Sequence, residues 1–221
     1  YRQTGILEHD VLGWARQTTQ GDFISCATIP YGTEDQLWLA VQRQVGGSTV
    51  TMIELADYTL HTDCAVTGTG AASSSWSGFD HLEGLELVVL GDQREMNPST
   101  VTGGLVATDR DVTRIEAGLR FDSALTLPDI EPTGASFGAS KLRVNEIFVD
   151  LYDTIGLEIQ SNDQRWFQFG PAVLDQPPPA VTGKRSAPNM GWDTGIVRLR
   201  QIHPYKWTVR RVVRRYTVNE G

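Results

Sequence analysis

The densest group of titratable side chains in this sequence is Asp80-His81-Leu82-Glu83, which sets two carboxylates within two residues of one imidazole. Such a pattern suits an acid–base pair or a set of metal ligands. It suits a polar turn better, with Asp80 capping the amides ahead of it and His81 bonding locally. Nothing nearby supplies a third ligand or a nucleophile, which favours the turn. His9-Asp10 repeats the acid–imidazole pairing once more. The serines form no Gly-x-Ser-x-Gly elbow, and the glycines form no dinucleotide or phosphate loop. Thr182-Gly183-Lys184-Arg185-Ser186 has the ending of a phosphate loop without its upstream glycine. The acidic pairs Glu34-Asp35, Asp109 with Asp111 and Asp129 with Glu131 lack the spacing of a calcium loop, and they suit solubilised turns.

The most distinctive charged run is Arg210-Arg211-Val212-Val213-Arg214-Arg215. In a strand, Arg211, Val213 and Arg215 would point to one side and Arg210, Val212 and Arg214 to the other. Guanidinium groups on both faces exclude a plain buried strand. Pairing with acids of the same or a neighbouring subunit is the favoured reading, and contact with DNA phosphates is the alternative. These four arginines are therefore the candidate subunit-interface or channel residues. The six tryptophans, spread along the chain, suit cores or subunit interfaces better than a sugar platform. No catalytic, cofactor-binding or metal-binding residue is expected.

The elements that must position these groups are strands. Phe23 to Ile29 alternates, with Phe23, Ser25, Ala27 and Ile29 on one side and Ile24, Cys26 and Thr28 on the other, and Pro30-Tyr31-Gly32 should stop it. Gln36 to Val45 and Ser48 to Leu55 flank Gly46-Gly47, a linker that can take the positive φ angles of a tight hairpin. Leu37, Leu39 and Val41 alternate with Trp38 and Ala40, which predicts a central strand covered on both faces. Residues 67–78, rich in Gly, Ala and Ser, have the composition of a linker. Leu85 to Leu90 predicts a buried strand, Val101 to Thr108 and Thr113 to Phe121 two more, and residues 127–134 a loop. Lys141 to Ile159 alternates with period two, and Gly156 should end or bulge it. Gly195 to Ile202 and Trp207 to Val218 are the last two strands.

The expected fold is all-β, of sandwich or barrel-like modules with little or no helix. The expected division is a β module over 1–134, with room for an inserted subdomain near 74–128, and a C-terminal β segment over 135–221 that could pack back on the first. At 221 residues the chain can bury sizeable cores. No apolar stretch approaches the ~20 residues of a membrane-spanning helix. Tyr1-Arg2-Gln3-Thr4 carries no signal core and suggests a piece of a longer polypeptide, while Val218 to Gly221 suggests a natural end. Cys26 and Cys64 suit two buried free thiols from a reducing cytoplasm, with a bond between them left open. Residues 196–221 carry a net charge of +6 and residues 1–195 a net −14, for −8 in all. That balance argues against a dedicated DNA-binding protein, though not against a surface along which DNA slides.

Several runs, in order, resemble one family. Val11-Leu12-Gly13-Trp14-Ala15-Arg16-Gln17-Thr18-Thr19 precedes Asp35-Gln36-Leu37-Trp38-Leu39-Ala40-Val41-Gln42-Arg43, and Ile53-Glu54 follows the hairpin. Phe79-Asp80-His81-Leu82-Glu83-Gly84 with Val88-Val89-Leu90 is the most recognisable block. Gly118-Leu119-Arg120-Phe121, Thr126-Leu127-Pro128, Lys141-Leu142-Arg143-Val144, Leu151 to Leu157 and Gly191-Trp192-Asp193 continue it. In this order, from about residue 5 to the C-terminus, the chain resembles the tail nozzle proteins of short-tailed bacteriophages. It departs from them at Gly91-Asp92-Gln93, where the family often has Asp-Gly, and at His203 to Trp207, where it often has Pro-Leu-Pro. No subunit contact is carried over to those two places.

The resemblance implies a structural virion protein, not an enzyme. It would be the C-terminal portion of a nozzle subunit, made in the bacterial host cytoplasm and located in the virion tail. Its partners would be itself, in a ring-shaped homo-oligomer that is hexameric in the family, other tail proteins, and DNA in transient non-specific passage. No cofactor is implied. The alternative from another class is a surface-glycan or receptor-binding β-sandwich of a tail. A hydrolase would need carboxylates brought together from distant parts of the chain.

Overall fold

The structure is a computed structural model that describes residues 2–6, 11–128, 130, 141–161, 166–169, 176–187, 192–193 and 196–219. It is built of antiparallel strands, as the alternation predicts, and its described residues hold one single-turn 3-10 helix, Asp80–Leu82. The chain divides into two units: Tyr1–Val89 with Asn97–Phe121, and Leu90–Met96 with Asp122–Gly221. Among the described residues no helix is long and apolar enough to cross a membrane.

In the first unit, β1 (Arg2–Ile6) pairs with β2 (Val11–Ala15). Then β3 (Asp22–Tyr31), β4 (Glu34–Val45) and β5 (Ser48–Leu55) form a three-stranded sheet with β4 in the middle. The β4–β5 hairpin turns on Gly46 and Gly47, whose φ angles of 56° and 80° explain the two glycines. The β3–β4 hairpin turns later than the sequence suggests. Pro30 and Tyr31 still pair, with Asp35 and Glu34, and Gly32-Thr33 makes the turn.

Two expectations fail in this sheet. The register shifts between Phe23 and Ser25, so Ile24 is an extra residue and Phe23 lies opposite Val41. Phe23 therefore shares a face with Cys26 and Thr28, not with Ser25 and Ala27. Nor is β4 covered on both sides. Val41 and Arg43 are buried on one face, but on the other Ile53 is 67% exposed and Ile29 49%.

A third correction concerns residues 67–78, which are strand, not linker. They lie within β6 (Asp63–Ser77), which pairs over most of its length with β10 (Leu105–Leu119). Backbone pairing needs no large side chains, and the small ones here leave room for Trp76. A Cβ at Gly68 would stand 3.1 Å from the Trp76 ring. The two strands expected over 101–121 are this one β10, with register shifts between Ala107 and Arg114. Beside it run β7 (Glu86–Gly91), buried from Leu87 onward as expected, then β8 (Arg94–Glu95) and β9 (Ser99–Thr100). Phe79, Leu82, Leu87, Val89, Val101, Val106, Val112 and Ile115 form the buried centre of this part.

The second unit contains two antiparallel sheets. One joins β11 (Ser123–Thr126), β17 (Val197–Gln201), β13 (Glu158–Ser161) and β14 (Phe167–Gln168). The other is built on β12 (Lys141–Thr154), which pairs with β15 (Val181–Ala187), β16 (Trp192–Asp193) and β18 (Val209–Asn219). Ile147, Val149 and Leu151 of β12 pack in one core with Leu157, Ile159, Val197 and Leu199. Val144 reaches the same core because the pairing with β18 shifts between Val144 and Glu146, which resets the alternation. Gly156, with φ 69°, ends the long strand as predicted.

Candidate functional site

The four arginines of β18 are placed by its pairing with β12. Arg211 lies opposite Asp150, Val213 opposite Phe148 and Arg215 opposite Glu146, so these three point away from the core. Arg215 Nη1 lies 3.4 Å from Glu146 Oε2, and its guanidinium sits 5.2 Å from the centre of the Phe148 ring. Val212 and Arg214 face the core side, opposite Val149 and Ile147, where Arg214 Nη1 donates to the Pro128 carbonyl at 2.7 Å. Arg210 departs from simple alternation. Leu151 pairs with Val209 and Asp150 with Arg211, which makes Arg210 a bulge residue. Its guanidinium stacks 4.4 Å from the Tyr152 ring centre, and Tyr152 is on the outer face. The bulge thus puts Arg210 on the same face as Arg211 and Arg215, and Arg214 on the other. Lys184, opposite Asp150 on β15, completes a cross-strand row of Lys184, Asp150 and Arg211.

Asp80, His81 and Glu83 form a turn. Glu83 Oε1 and Oε2 accept hydrogen bonds from the Gly103 and Gly104 amides, both at 2.8 Å, which hold its carboxyl below the usual range. The capping carboxylate is therefore Glu83, not Asp80 as the sequence suggested. Asp80 instead fills the space beside Gly104, where a Cβ would stand 2.3 Å from Asp80 Oδ1. His81 is exposed. His9-Asp10 lies outside the described residues, as does the Asp129 with Glu131 pair. Thr182 to Ser186 is strand within β15, not a loop. Asp109 accepts from the Asn97 amide and side chain, both at 3.1 Å, but it and Asp111 lie in β10 and Glu34-Asp35 in β4, so these two pairs are in strands and not in the turns expected. Among the described residues no group of three or more His, Cys, Asp or Glu side chains is placed to hold a metal ion.

Two polar clusters escaped the sequence reading. In the first unit, Arg43 is 2% exposed and spends all five guanidinium N–H groups. Nε and Nη2 donate to the two Glu54 oxygens at 2.8 Å, and Nη1 and Nη2 donate to the two Asp63 oxygens at 3.0 Å. The remaining donor on Nη1 reaches the Gln20 carbonyl at 2.8 Å. Asp63 Oδ2 also accepts from Thr19 Oγ1 at 2.7 Å and the Gln20 amide at 3.1 Å. Burial opposes charge on Arg43, but its bonds to Glu54 and Asp63 and their charges outweigh that and hold the guanidinium protonated above its ordinary value. In the second unit, His203 Nδ1 lies 2.6 Å from Glu95 Oε2, and the Glu95 amide donates to the Tyr205 hydroxyl at 2.8 Å. Burial raises the Tyr205 phenol.

The two cysteines are free thiols, and Cys26 is exposed where burial was expected. Cys64 is half-buried, and its thiol contacts Met52 Sδ at 3.8 Å. Burial and the nearby Glu54 carboxylate push the Cys64 thiol up to about 12. The tryptophans whose side chains are described, Trp38, Trp76, Trp166 and Trp207, are all half-buried. Trp166 lies under Arg200 at 3.8 Å, and Trp207 packs on the second unit's core.

Apolar side chains stay open on both faces of the β3–β4–β5 sheet, Phe23 and Val50 on the inner one and Ile29, Ile53 and Leu55 on the outer. Cross-strand register puts Ala27, Trp38 and Leu55 in one row and Ser25, Ala40 and Ile53 in the next. Leu55 is 39% exposed beside the more open Ile53 and Ile29. The sequence signal was present in the uncharged alternation of both strands, but it does not say what does the covering. No protein-family model matches the chain, and no curated protein matches it at a significant level.

Proposed function

We propose that this chain is a structural component of a bacteriophage or prophage tail, part of the distal tube through which DNA leaves. The ordered resemblance to tail nozzle proteins supplies the location. The observation that supports an assembly role is the contrast between committed polar groups and an open apolar face. Arg43 and Asp63 join strands and Glu83 holds a turn, while Ile53 and Leu55, beside the half-buried Trp38, stay open on a sheet face among the described residues. Aromatic and aliphatic groups around an uncharged centre are what a protein–protein contact uses.

The arginines fit the same reading. Arg211 and Arg215 stand beside Asp150 and Glu146, so their face is a mixed-charge strip rather than a bare basic one. A tube that passes DNA must not grip phosphate, and a net charge of −8 meets that need. In this account the chain works within a ring of copies of itself and beside other tail proteins, without catalysis. Receptor or glycan binding is the second reading. Partly open Trp38 would serve it, but Ala27, Ala40 and Leu55 around that ring give a sugar little to hydrogen-bond.

Immunogold microscopy of the source particles tests the location. Gold at the distal end of the tail supports the tube reading. Gold on lateral fibres replaces it with receptor binding, and intact but unlabelled particles remove it.

A further inference from the structure

We propose that His203 and Glu95 form a proton-sensitive clasp on the Leu90–Met96 hairpin, tight while His203 carries its proton and looser once that proton is lost. Hairpin and clasp both belong to the second unit. The assembly reading above gives this cluster no role. The hairpin supports itself poorly. Two residue pairs join its arms, Leu90 with Glu95 and Gly91 with Arg94. Its turn falls on Asp92 and Gln93, whose φ angles of 47° and 65° lie in the left-handed region that favours glycine. Such backbone persists where surrounding contacts hold it. Leu90 and Met96, buried at the two ends, supply part of that hold. Glu95 adds two contacts: its Oε2 lies 2.6 Å from His203 Nδ1, and its amide donates to the Tyr205 hydroxyl at 2.8 Å.

The other jaw is a fixed turn. The His203 amide donates to Gln201 Oε1 at 3.1 Å, and the Tyr205 amide donates to the His203 carbonyl at 2.7 Å. Gln201 is 3% exposed and itself donates to the Ile155 carbonyl. The His203 and Tyr205 rings seat against Gly156, each 3.6 Å from where a Cβ would stand.

Of the two contacts to Glu95, one senses protons near neutral pH. Burial raises the Tyr205 phenol above its ordinary 10.0, so it stays neutral there. An ionised Glu95 has no hydrogen to give, so Nδ1–H of His203 donates in either charge state. An imidazolium adds the attraction of opposite charges to that bond, which a neutral ring lacks. Histidine ordinarily changes charge between about pH 5 and 8. The grip is therefore complete in mild acid and weakens as pH rises through the loss of the proton. The surrounding charges are balanced. Asp92 and Arg94 flank Glu95 on the hairpin, Lys206 of the turn is paired with Asp153, and Arg200 of β17 with Glu158. Gly156 and Gln168, packed beside the rings, are uncharged. The His203 and Glu95 side chains are 32% and 30% exposed, so water screens the pair and the effect is moderate.

Hydrogen–deuterium exchange of the 221-residue chain between pH ~6 and ~8, corrected for the intrinsic rate, tests the clasp. Protection of the Leu90–Met96 amides should fall about threefold to tenfold across that range, and that of Ile147 to Leu151 should not. His203→Asn keeps a neutral donor where Nδ1 stood, so its hairpin should stay at the parent's alkaline level throughout. Glu95→Gln should also lose the dependence. Tyr205→Phe should lower protection at both ends of the range and keep the slope. A parent hairpin whose protection ignores pH overturns the proposal, as does a His203→Asn variant with the parent's slope. An equal fall at Ile147 to Leu151 overturns it too, because pH would then act on the whole unit. None of these outcomes alters the tail location, which gold labelling reads separately.

Discussion

Arg43 and Asp63 lie twenty residues apart in sequence and are joined by two parallel 3.0 Å hydrogen bonds, with the Arg43 side chain 1% exposed and that of Asp63 16%. Glu54 completes the cluster from the neighbouring strand. This relationship ties the end of the three-stranded sheet to the start of β6, and it stabilises only while all three members are present.

Removing the cation should cost more than any surface change in the first unit. Arg43→Ala leaves the Glu54 and Asp63 carboxylates without their shared cation, and about 3–5 kcal/mol of stability should be lost. Arg43→Lys should recover only part, because an ammonium has three donors and no planar fork, where the guanidinium makes five bonds. Urea unfolding of the three proteins measures this. An Arg43→Ala variant within about 1 kcal/mol of the parent would show that the cluster contributes no net stability.

The two thiols should separate by reactivity. Cys26 is exposed, whereas the Cys64 thiol is pushed up to about 12 from an ordinary 9.0. At pH ~8 iodoacetamide should modify Cys26 long before Cys64, and mass spectrometry of the digested chain reads the order. The raised thiol also fixes a sign. Its contribution to stability is complete below 9.0 and is lost as pH rises toward about 12, since the unfolded chain ionises first.

Glu83 gives the opposite sign. The Gly103 and Gly104 amides depress its carboxyl below the ordinary 4.5, so its contribution is present above 4.5 and disappears as pH falls through the folded value. Glu83→Gln should therefore differ from the parent at neutral pH and converge with it in acid. Denaturant titrations between pH ~7 and pH ~3 would show the gap closing.

Arg211 and Arg215 sit on the outer face, and the Arg215 side chain is 69% exposed. Replacing both by Glu should change folding stability by no more than about 1 kcal/mol. If the strip meets a neighbouring subunit, the same double variant should assemble tails poorly or eject DNA poorly. Normal infectivity in that variant would remove any role for the two arginines.

Much of the scaffold was legible because its signals are local. Gly46-Gly47 announces its turn through the φ angles both glycines adopt, and the alternation from Ile147 to Tyr152 sorts core from surface without outside help. The failures were non-local. Ile24 and Arg210 are extra residues only with respect to the strands they pair with, so a single strand's pattern cannot reveal the flip of Phe23 or Arg210. Residues 67–78 hide a strand because small side chains look like a linker until β10 pairs with them. Arg43 stands eleven and twenty residues from its partners, and no local motif announces that cluster. Trp38 and Ala40 alternate with Leu37 and Leu39 in the same way whether a face is covered by its own chain or by another.

The most direct test of the tail-tube reading is a cryo-electron microscopy map of the tail from the source particle. The account predicts density at the distal end that accepts the β12-centred sandwich and the β3–β5 sheet, arranged as copies around a passage wide enough for DNA. A complete distal tail map with no place for either unit would contradict it.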